Sequence, residues 1–413
     1  MREMKDSGIE WVGTIPAHWS TMPNKYVMRK IKVINPTYNG ENILSLTVNG
    51  VIVRDLEAGG KMPSSFDGYQ ILYKGNLLMC LFDYDVTPRC IGLIKDSGVS
   101  SPAYSQFVLQ GGNDAAYFYY YYLMVDHTKA LLHRAKNLRH SFTEEQLGAI
   151  KVTVPPIAEQ ERIADFLDSQ CSQIDAISAD IQKEIETLEQ YKRSVITEAV
   201  TKGLNPDAEM KDSGVPWIGM MPANWTCIKG KYILKYMQKP VKPDDGVITC
   251  FRDGEVTLRS NRREDGFTMA DKEIGYQGID AGDLVVHGMD GFAGAIGISD
   301  SRGKASPVLN VLNSRQNKKY IMYYLRSMAY GDVFAALATG IRVRSCDLRW
   351  NKLSVLLYPV PPLEEQAGIV QYIEDTLNKV NGVISEKKQQ LTVIDSYKKS
   401  LIYEYVTGKK EAL

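Results

Sequence analysis

The amino-acid sequence contains an internal repeat with one fixed offset. MKDSGIEWVGTIPAHWS from Met4 is repeated as MKDSGVPWIGMMPANWT from Met210, 206 residues later. VPPIAEQ from Val154 returns at the same offset as VPPLEEQ from Val360. A fixed period constrains the architecture more than any other feature, because each copy must form the same structural unit. The sequence therefore predicts two equivalent halves related by an internal pseudo-two-fold repeat.

A long helical pattern follows each VPP motif, with apolar residues at steps of three or four, the spacing typical of a coiled coil. The apolar positions are Ile174, Ile177, Ile181, Ile185, Leu188, Val195 and Ala199 in the first copy, with Tyr191 or Lys192 filling the gap before Val195. In the second copy they are Ile369, Ile373, Leu377, Val380, Ile384, Leu391, Ile394, Leu401 and Tyr405. Each helix of about 45 residues would be roughly 65 Å long at about 1.5 Å per residue. Neither apolar stripe would be stable in water alone, so we expect the two helices to pair as an antiparallel coiled coil.

The segments between the repeated motifs, about 21–153 and 227–359, have a different composition. Short β-rich runs alternate there with Gly, Asn and Asp turns. Each insert also carries one apolar, tyrosine-rich stretch, residues 117–125 or 320–328, which predicts a helix packed on a sheet with its tyrosines in the core. The expected fold class is α+β, with two mixed α/β domains joined by two long antiparallel coiled-coil helices. The predicted boundaries are 1–153 for the first α/β domain, 154–209 for the first coiled-coil helix and its linker, 210–359 for the second domain and 360–413 for the second helix.

Composition excludes several classes of protein. With 413 residues, 44% hydrophobic and 24% charged, the chain is typical of a soluble protein of two or more domains. It has no run of about 18 apolar residues, as a membrane span requires, and its charged N-terminus lacks the apolar core of a signal peptide. Its six cysteines form no CxxC pair, which argues against a zinc ribbon and favours a reducing cytoplasm. A net charge of 0 leaves DNA binding open, because a DNA reader needs only a local basic face.

No catalytic or cofactor-binding motif is complete. Residues 297–304 resemble a phosphate-binding loop, but one residue too many precedes the lysine and Ala305 stands where a serine or threonine would bind Mg²⁺. Residues 35–38 resemble the NPPY loop of adenine methyltransferases but lack the second proline. The five histidines show neither ligand nor triad spacing. The sequence thus predicts no catalytic, metal or cofactor site in this chain.

The repeated motifs resemble those of a known family. TKGLNP, MKDSG and PANW, which ends at Trp225, together with VPP and EQ at the start of a long helix, are similar to the conserved regions of type I restriction–modification specificity subunits (the HsdS family). The resemblance covers both repeats and, through their spacing, the whole chain. It implies two target-recognition domains, one for each half of a bipartite double-stranded DNA site, and a coiled coil held by two modification (methyltransferase) subunits.

The same resemblance implies that the chain is not itself an enzyme. Adenine methylation with S-adenosylmethionine would belong to the modification subunits, and ATP use would belong to restriction subunits, an optional further partner. We expect such a complex in the cytoplasm.

The candidate DNA-contacting residues follow from side-chain chemistry. Arg and Lys bind guanine or phosphates and Asn pairs with adenine, so polar loops that hold these residues are the places to expect contacts. The candidates in the first insert are Arg54, Lys61, Arg89, Lys136, Asn137 and Arg139. Those in the second insert are Arg252, Arg259, Asn261, Arg262, Arg263, Arg302, Lys304, Arg342 and Arg344. The groups at 259–263 and 342–344 are the stronger candidates, because their members are clustered.

Two other functions stay open at this point. A coiled-coil scaffold whose inserts bind protein would have the same repeat, but it would show no salt-dependent DNA binding, whereas a phosphate-contacting reader loses affinity steeply as salt rises. A stand-alone methyltransferase would need the cofactor motif that the sequence lacks.

Overall fold

The computed structural model describes residues 2–57, 63–135, 140–262, 273–337 and 348–412. Packing divides the chain into two compact units, one formed by Met1–Ile181 with Lys388–Leu413 and the other by Gln182–Lys387. Each unit holds one insert and part of both long helices. The four domains drawn from the sequence stay a prediction. None of the helices in the described ranges is long and apolar enough to cross a membrane.

The first repeat contains twelve strands and three α-helices among its described residues. In chain order they are β1 (Met4–Asp6), β2 (Thr14–Pro16), β3 (Ser20–Pro23), β4 (Met28–Ile31), β5 (Leu44–Thr47), β6 (Gly50–Val53), β7 (Gln70–Leu72), β8 (Leu77–Met79), β9 (Ile91–Leu93), β10 (Gly98–Ser100), β11 (Ser105–Leu109), α1 (Ala115–His127), α2 (Glu144–Ala149), β12 (Lys151–Val154) and α3 (Ile157–Lys202).

The second repeat adds twelve strands and five α-helices in its described part. They are β13 (Met210–Asp212), β14 (Met220–Pro222), β15 (Thr226–Lys229), α4 (Gly230–Ile233), β16 (Leu234–Met237), β17 (Ile248–Cys250), β18 (Val256–Leu258), β19 (Gln277–Ile279), β20 (Leu284–His287), β21 (Ile296–Ile298), β22 (Gly303–Ala305), β23 (Leu309–Ser314), α5 (Lys318–Tyr330), α6 (Val333–Ala336), α7 (Trp350–Leu353), β24 (Leu357–Val360) and α8 (Leu363–Val406).

The two inserts have the same sheet topology. Strands β4, β11, β8 and β9 form a four-stranded antiparallel sheet in that order, and β16, β23, β20 and β21 form its counterpart. Two-stranded pairs accompany each sheet: β3–β12, β5–β6 and β7–β10 in the first insert, and β15–β24, β17–β18 and β19–β22 in the second. The inserts are therefore two copies of one fold, although their sequences have diverged. The predicted α+β class is confirmed.

The tyrosine-rich helices α1 and α5 each contact an edge strand of their sheet, β9 or β21. Asp114 caps α1 by accepting a hydrogen bond from the Tyr117 amide at 2.7 Å, and Asn317 caps α5 by accepting one from the Tyr320 amide at 3.3 Å. Tyr117, Tyr320 and Tyr324 are buried in the hydrophobic clusters of their units. The predicted core role of these tyrosines is confirmed.

Within the first unit the two long helices run antiparallel. Phe166 near the start of α3 stacks on Tyr405 near the end of α8, with ring centroids 4.3 Å apart. Further along α3, Asp175 pairs with Lys398, which lies earlier on α8, at 2.5 Å. A partner that moves backward along α8 as α3 advances defines an antiparallel pair.

The second unit shows the same direction of pairing. Glu184 of α3 forms an ion pair with Lys387 of α8. Ile196, nearer the end of α3, shares a buried cluster with Ile369, nearer the start of α8. The predicted antiparallel coiled coil is confirmed in both units.

One position of the predicted apolar seam is wrong. Ile177 is 52% exposed, and the half-buried Ser178 takes the inner place. The inner positions advance by three and then four residues, through Cys171, Ile174 and Ser178, so the residue three beyond Ile174 falls one place too early. An exposed isoleucine is left on the outer surface of α3.

The glutamate of each repeated EQ pair binds a tryptophan of the repeated N-terminal motif. Glu159 accepts a hydrogen bond from Trp19 Nε1 at 3.1 Å, and Glu365 accepts one from Trp225 Nε1 at 2.9 Å. Both tryptophans are buried. Burial works against ionisation of Glu159, but hydrogen bonds from His18 and Trp19 hold the pKa of this carboxyl below its usual value. The start of each long helix is thereby fixed to its motif.

The glutamine of the same pair joins the long helix to the tyrosine helix. Gln160 accepts a hydrogen bond from the Asp114 amide at 2.9 Å, and Gln366 accepts one from the Asn317 amide at 2.9 Å. Each glutamine also donates to the carbonyl of the first proline of its VPP motif at 2.8 Å. Both glutamines are fully buried. Three elements therefore meet at one hydrogen-bonded side chain in each unit.

The tyrosine helices also hold the ends of the long helices. Tyr117 donates from its hydroxyl to the Val406 carbonyl at 3.0 Å, and Tyr320 donates to the Val200 carbonyl at 3.1 Å. Carbonyls in the last turn of a helix have no partner within that helix. Because Val200 belongs to α3 and Val406 to α8, each insert holds the end of the long helix of the other repeat.

A charged network fixes the loop between β16 and β17 in the second insert. Arg302 donates to the two oxygens of Asp245 at 3.0 and 2.8 Å and to Asp280 at 2.6 Å. Lys239 pairs with Asp280 at 2.7 Å and with Asp283 at 2.5 Å. Hydrogen bonds from Lys239 and Arg302 hold the pKa of Asp280 at about 2.

The buried glutamines are expected to stabilise both units. Replacing Gln366 with alanine should lower the free energy of unfolding by about 2–6 kcal/mol, because two backbone groups lose their partner and each costs about 1–3 kcal/mol when unsatisfied. Gln160→Ala should act similarly on the first unit. Urea denaturation measures the loss. The control is Gln173→Ala, at an exposed position of α3, expected to stay within about 0.5 kcal/mol of the wild type. If Gln366→Ala lowered the free energy of unfolding no more than the control does, the stabilising role of the buried glutamine would be contradicted.

The Arg302 network predicts acid sensitivity of the second unit. The pKa of Asp280 is lowered from 3.8 to about 2 in the folded chain, so its contribution to stability is complete above about pH 4 and is lost as the pH falls toward about 2. Arg302→Met should therefore lower the melting temperature at neutral pH, and the difference from wild type should shrink steadily below about pH 4. Thermal melts followed by circular dichroism across this range measure the difference. A gap independent of pH would show that the carboxylate charge is irrelevant.

Candidate nucleic-acid interface

One β-hairpin lies at the same place in each insert, formed by β5 and β6 in the first and by β17 and β18 in the second. The turns contain Asn49-Gly50 and Asp253-Gly254. Gly50 and Gly254 have φ angles of 95° and 93°, which a side chain would strain. A short hairpin loop that ends on a glycine in the left-handed conformation is a common connection between two strands. The sequence of each turn thus explains its backbone.

An arginine follows the second strand of each hairpin. Arg54 comes directly after β6, and Arg259 directly after β18. The amide of Arg54 donates to the Ile43 carbonyl and that of Arg259 to the Val247 carbonyl, both at 2.8 Å. Both side chains are half-buried. The structure therefore brings two of the predicted candidates to one equivalent position, and the repeat alone did not show this.

The other described candidates around Arg259 gather on the same hairpin. Arg262 pairs with Asp253 at 2.5 Å and with Glu255 at 3.1 Å, both in the turn region. Asn261 donates to a threonine hydroxyl of β18 at 2.8 Å. The side chain of Arg252, which lies within the turn, is 64% exposed. The hairpin with its following segment is the main polar surface that the structure assembles from these candidates.

Arg302 and Lys304 lie at the β19–β22 pair, which borders the hairpin through a β-bridge between Lys304 and Val247, the residue before β17. Arg302 belongs to the network with Asp245 and Asp280 described above. Lys304 pairs with Glu273 at 2.7 Å, and its side chain is mostly buried. Both cations are thus engaged within the second insert.

Arg89 is also engaged within its own insert. Its Nε donates to the Ile91 carbonyl at 3.1 Å and its Nη1 to the Val48 carbonyl at 2.8 Å. Its Nη2 donates to the Tyr119 hydroxyl. Each of the three nitrogens of this guanidinium donates to a group of the same insert.

Seven candidates lie outside the described residues. They are Lys61, Lys136, Asn137, Arg139, Arg263, Arg342 and Arg344.

Sequence reasoning missed the first hairpin tip. Val48 precedes Asn49-Gly50 in the chain as Arg252 precedes Asp253-Gly254, and Val48 is 62% exposed. A search for basic residues overlooks a valine. The signal that could have found it is the pair of Asx-Gly turns at nearly the repeat offset.

Burial shifts the pKa values of two titratable side chains away from the hairpins. Burial lowers the pKa of His127 to about 4 and raises that of Cys250 to about 12, so both side chains are neutral at pH 7. Across the ranges that the structure describes, no three His, Cys, Asp or Glu side chains lie together in a way that could hold a metal ion.

The sequence is similar to proteins of one family. Residues 64–187 match the type I restriction modification DNA specificity domain. The chain is 24% identical over 298 residues to a protein of Methanocaldococcus jannaschii named as the MjaX specificity subunit of a type I restriction enzyme, covering 68% of this chain and 64% of that one. It is 25% identical over 280 residues to the type I restriction enzyme MjaVIII specificity subunit of the same organism, covering 63% and 62%. The chain thus spans less than two thirds of these relatives.

The fold is similar to a solved structure from work on complex assembly and conformational transition of the type I R-M system. The TM-score is 0.67 at 12% sequence identity, and the match covers 96% of this chain and 99% of the other. At this identity the likeness concerns the fold. It extends over both inserts and both long helices. The matching specificity domain, the two related specificity subunits and the shared fold make this chain similar to the HsdS family, the specificity subunits of type I restriction–modification systems.

Proposed function

We propose that this chain is the DNA-reading subunit of a type I restriction–modification complex and that each insert, as a target-recognition domain, reads one half of a bipartite double-stranded site. The observation that carries the proposal is the equivalent placement of Arg54 and Arg259 after two hairpins of equal topology. The frame around the hairpins is repeated, whereas the exposed residues on them differ. Such an arrangement suits two half-sites of different sequence held in a fixed relation.

The hairpins have the shape and chemistry for groove reading. A two-stranded ribbon fits the major groove of B-DNA, where arginine binds guanine, asparagine binds adenine and an apolar side chain contacts the thymine methyl. Arg252 and Asn261 supply the polar groups on the second hairpin, and Val48 supplies an apolar tip on the first. The neutral net charge is compatible with this function, because a DNA reader needs only a local basic face.

In this proposal the chain supplies recognition and no chemistry of its own. S-adenosylmethionine would bind to the methyltransferase subunits, and ATP to restriction subunits where these join. The complex would act on DNA in the cytoplasm. The incomplete phosphate-loop and methyltransferase motifs support this division of roles.

The long helices offer equivalent outer surfaces for two partner subunits. The first unit exposes Ile177 and Tyr397, and the second exposes Val383 and Tyr191. Ile177 matches Val383 and Tyr191 matches Tyr397 at the repeat offset. Exposed apolar side chains on a helix that already has its coiled-coil partner favour a further protein contact. Two copies of one surface suit two copies of one methyltransferase subunit.

Alanine substitution of the matched arginines is expected to separate the half-sites. Arg54→Ala should relax base preference in one half-site and Arg259→Ala in the other, because each lost base contact costs about 1–3 kcal/mol. The measurement is the set of methylated adenines that the complex with its methyltransferase subunit produces on a randomised duplex library. Two variants that leave both half-sites unchanged would refute the role of this position.

Two further assays test the division of roles between the chain and its methyltransferase subunit. The chain without its methyltransferase subunit is expected to transfer no methyl group from S-adenosylmethionine, and transfer by the chain alone would contradict the proposal. Binding of the complex to duplex DNA should weaken steeply with salt, because phosphate contacts release counterions. An absence of DNA binding would favour a protein-binding scaffold instead.

Charge placed on the outer surface should remove partners one at a time. Tyr191→Asp and Tyr397→Asp should each reduce the bound methyltransferase subunits from two to one, and the double variant should bind none, as measured by native mass spectrometry. Gln182→Asp is the control for Tyr191→Asp. Gln182 is exposed and lies nine residues earlier, which places it on the opposite side of α3 at 3.6 residues per turn. Full occupancy in the double variant would show that the subunits dock elsewhere.

A further inference from the structure

The tip of each hairpin overhangs an open cleft. The cleft of the first unit has a volume of about 910 Å³, with residues 48–52 on one side and Asp175 of α3 and Lys398 of α8 on the other. The cleft of the second unit has a volume of about 650 Å³, with Arg252 on one side and Arg193 of α3 on the other. Because a cleft lies beneath each tip, core packing constrains the tip little, and other contacts must set its position.

In the first unit Arg89 supplies these contacts. It binds the Val48 carbonyl in the turn, the Ile91 carbonyl on β9 and the Tyr119 hydroxyl on α1. Its guanidinium lies 5.6 Å from the centre of the Tyr119 ring, a cation–π distance. One side chain therefore connects the hairpin tip to the sheet and to the helix behind it.

In the second unit Arg326 of α5 reaches the matching tip. Its Nε donates to the Tyr330 hydroxyl at 2.8 Å. A methyl group added at Gly254 would lie 1.9 Å from Nη1 of Arg326, so the guanidinium rests directly against the turn. Burial works against ionisation of Asp253 in that turn, but a hydrogen bond from Arg262 and the charges of Arg262 and Arg326 hold its pKa below the usual value.

The two arginines come from different elements. Arg89 precedes β9, whereas Arg326 lies inside α5. Each is oriented by a tyrosine hydroxyl of the tyrosine helix in its own unit, Tyr119 or Tyr330. A repeat inherited from one ancestor would place such a residue at one matching position. The two arginines contact equivalent tips although they lie at different positions of the repeat. This indicates that both units need a residue that holds the tip in place.

We infer that Arg89 and Arg326 are positioning residues for DNA recognition, each setting one hairpin tip, and that Val48 and Arg252 at those tips determine specificity. This inference rests on the proposed function. It also assigns Arg89 a role other than the direct DNA contact expected from the sequence. The arginine acts through the tip, so its loss should change which bases are preferred without abolishing DNA binding.

The test uses the full chain assembled with its methyltransferase subunit and a randomised duplex library, from which bound DNA is sequenced. Arg89→Met keeps the apolar stem and removes the hydrogen-bond donors. It should cause a roughly tenfold loss of base discrimination at one half-site, the scale of one good base contact. Arg326→Met should do the same at the other half-site only. Each variant is thus the control for the other, and Arg89→Lys, which restores one donor, should recover part of the discrimination.

Each result decides between explanations. If the wild-type complex selects two half-sites and Arg89→Met leaves both unchanged, the positioning role is overturned while the proposed function stands. If the wild-type complex selects no sequence, the proposed function fails and this inference with it. A large fall in the melting temperature of Arg89→Met, with equal loss at both half-sites and no recovery in Arg89→Lys, would make Arg89 a general stabilising residue and overturn its assignment.

Discussion

The glutamate–glutamine pair at the start of each long helix, with its glutamine fully buried, determines where the other elements of its unit lie. The glutamate binds the indole of the repeated motif, and the glutamine binds the amide at the cap of the tyrosine helix. A buried polar group that loses its partner is costly, so neither residue can change alone. The motif, the long helix and the insert are thereby held at one junction, and this explains why VPP and EQ repeat while the residues between the junctions differ.

A fixed junction allows the exposed surface of an insert to change independently. The four-stranded sheets keep one topology, and the tyrosines facing the junction are buried in both units. The hairpin tips are free of this constraint, because each tip borders an open cleft and not the buried junction. Substitutions there leave the core intact. The sequence shows a constant frame and variable inserts. The frame residues are constant because they have buried polar partners, and the residues of the hairpin tips can vary because they lack such partners.

The repeat, the α+β class and the antiparallel helices were predictable because each leaves a periodic signal in the chain. The half-buried position at Ser178 was not predictable, since the isoleucine beside it matches the apolar pattern better and only the packed structure shows which of the two is exposed. The sequence also could not predict which candidate cations pair with groups of the same insert. Arg302 is separated by 57 residues from the carboxylate of Asp245 that binds it, and a sequence scan cannot tell such an arginine from one on a DNA-facing surface.

The two hairpin tips show why recognition surfaces would change as sets of residues. The second tip carries a cation, Arg252, close to the positioning cation Arg326, and like charges near each other repel. Asp253 lies in the same turn, and Asp290 pairs with Arg252 at 2.9 Å, so carboxylates offset this repulsion. The first tip carries the uncharged Val48, and there the positioning arginine is satisfied by carbonyls and a tyrosine hydroxyl. Exchanging one tip side chain for the other would leave an arginine with the wrong surroundings, so a new tip requires a new set of partners.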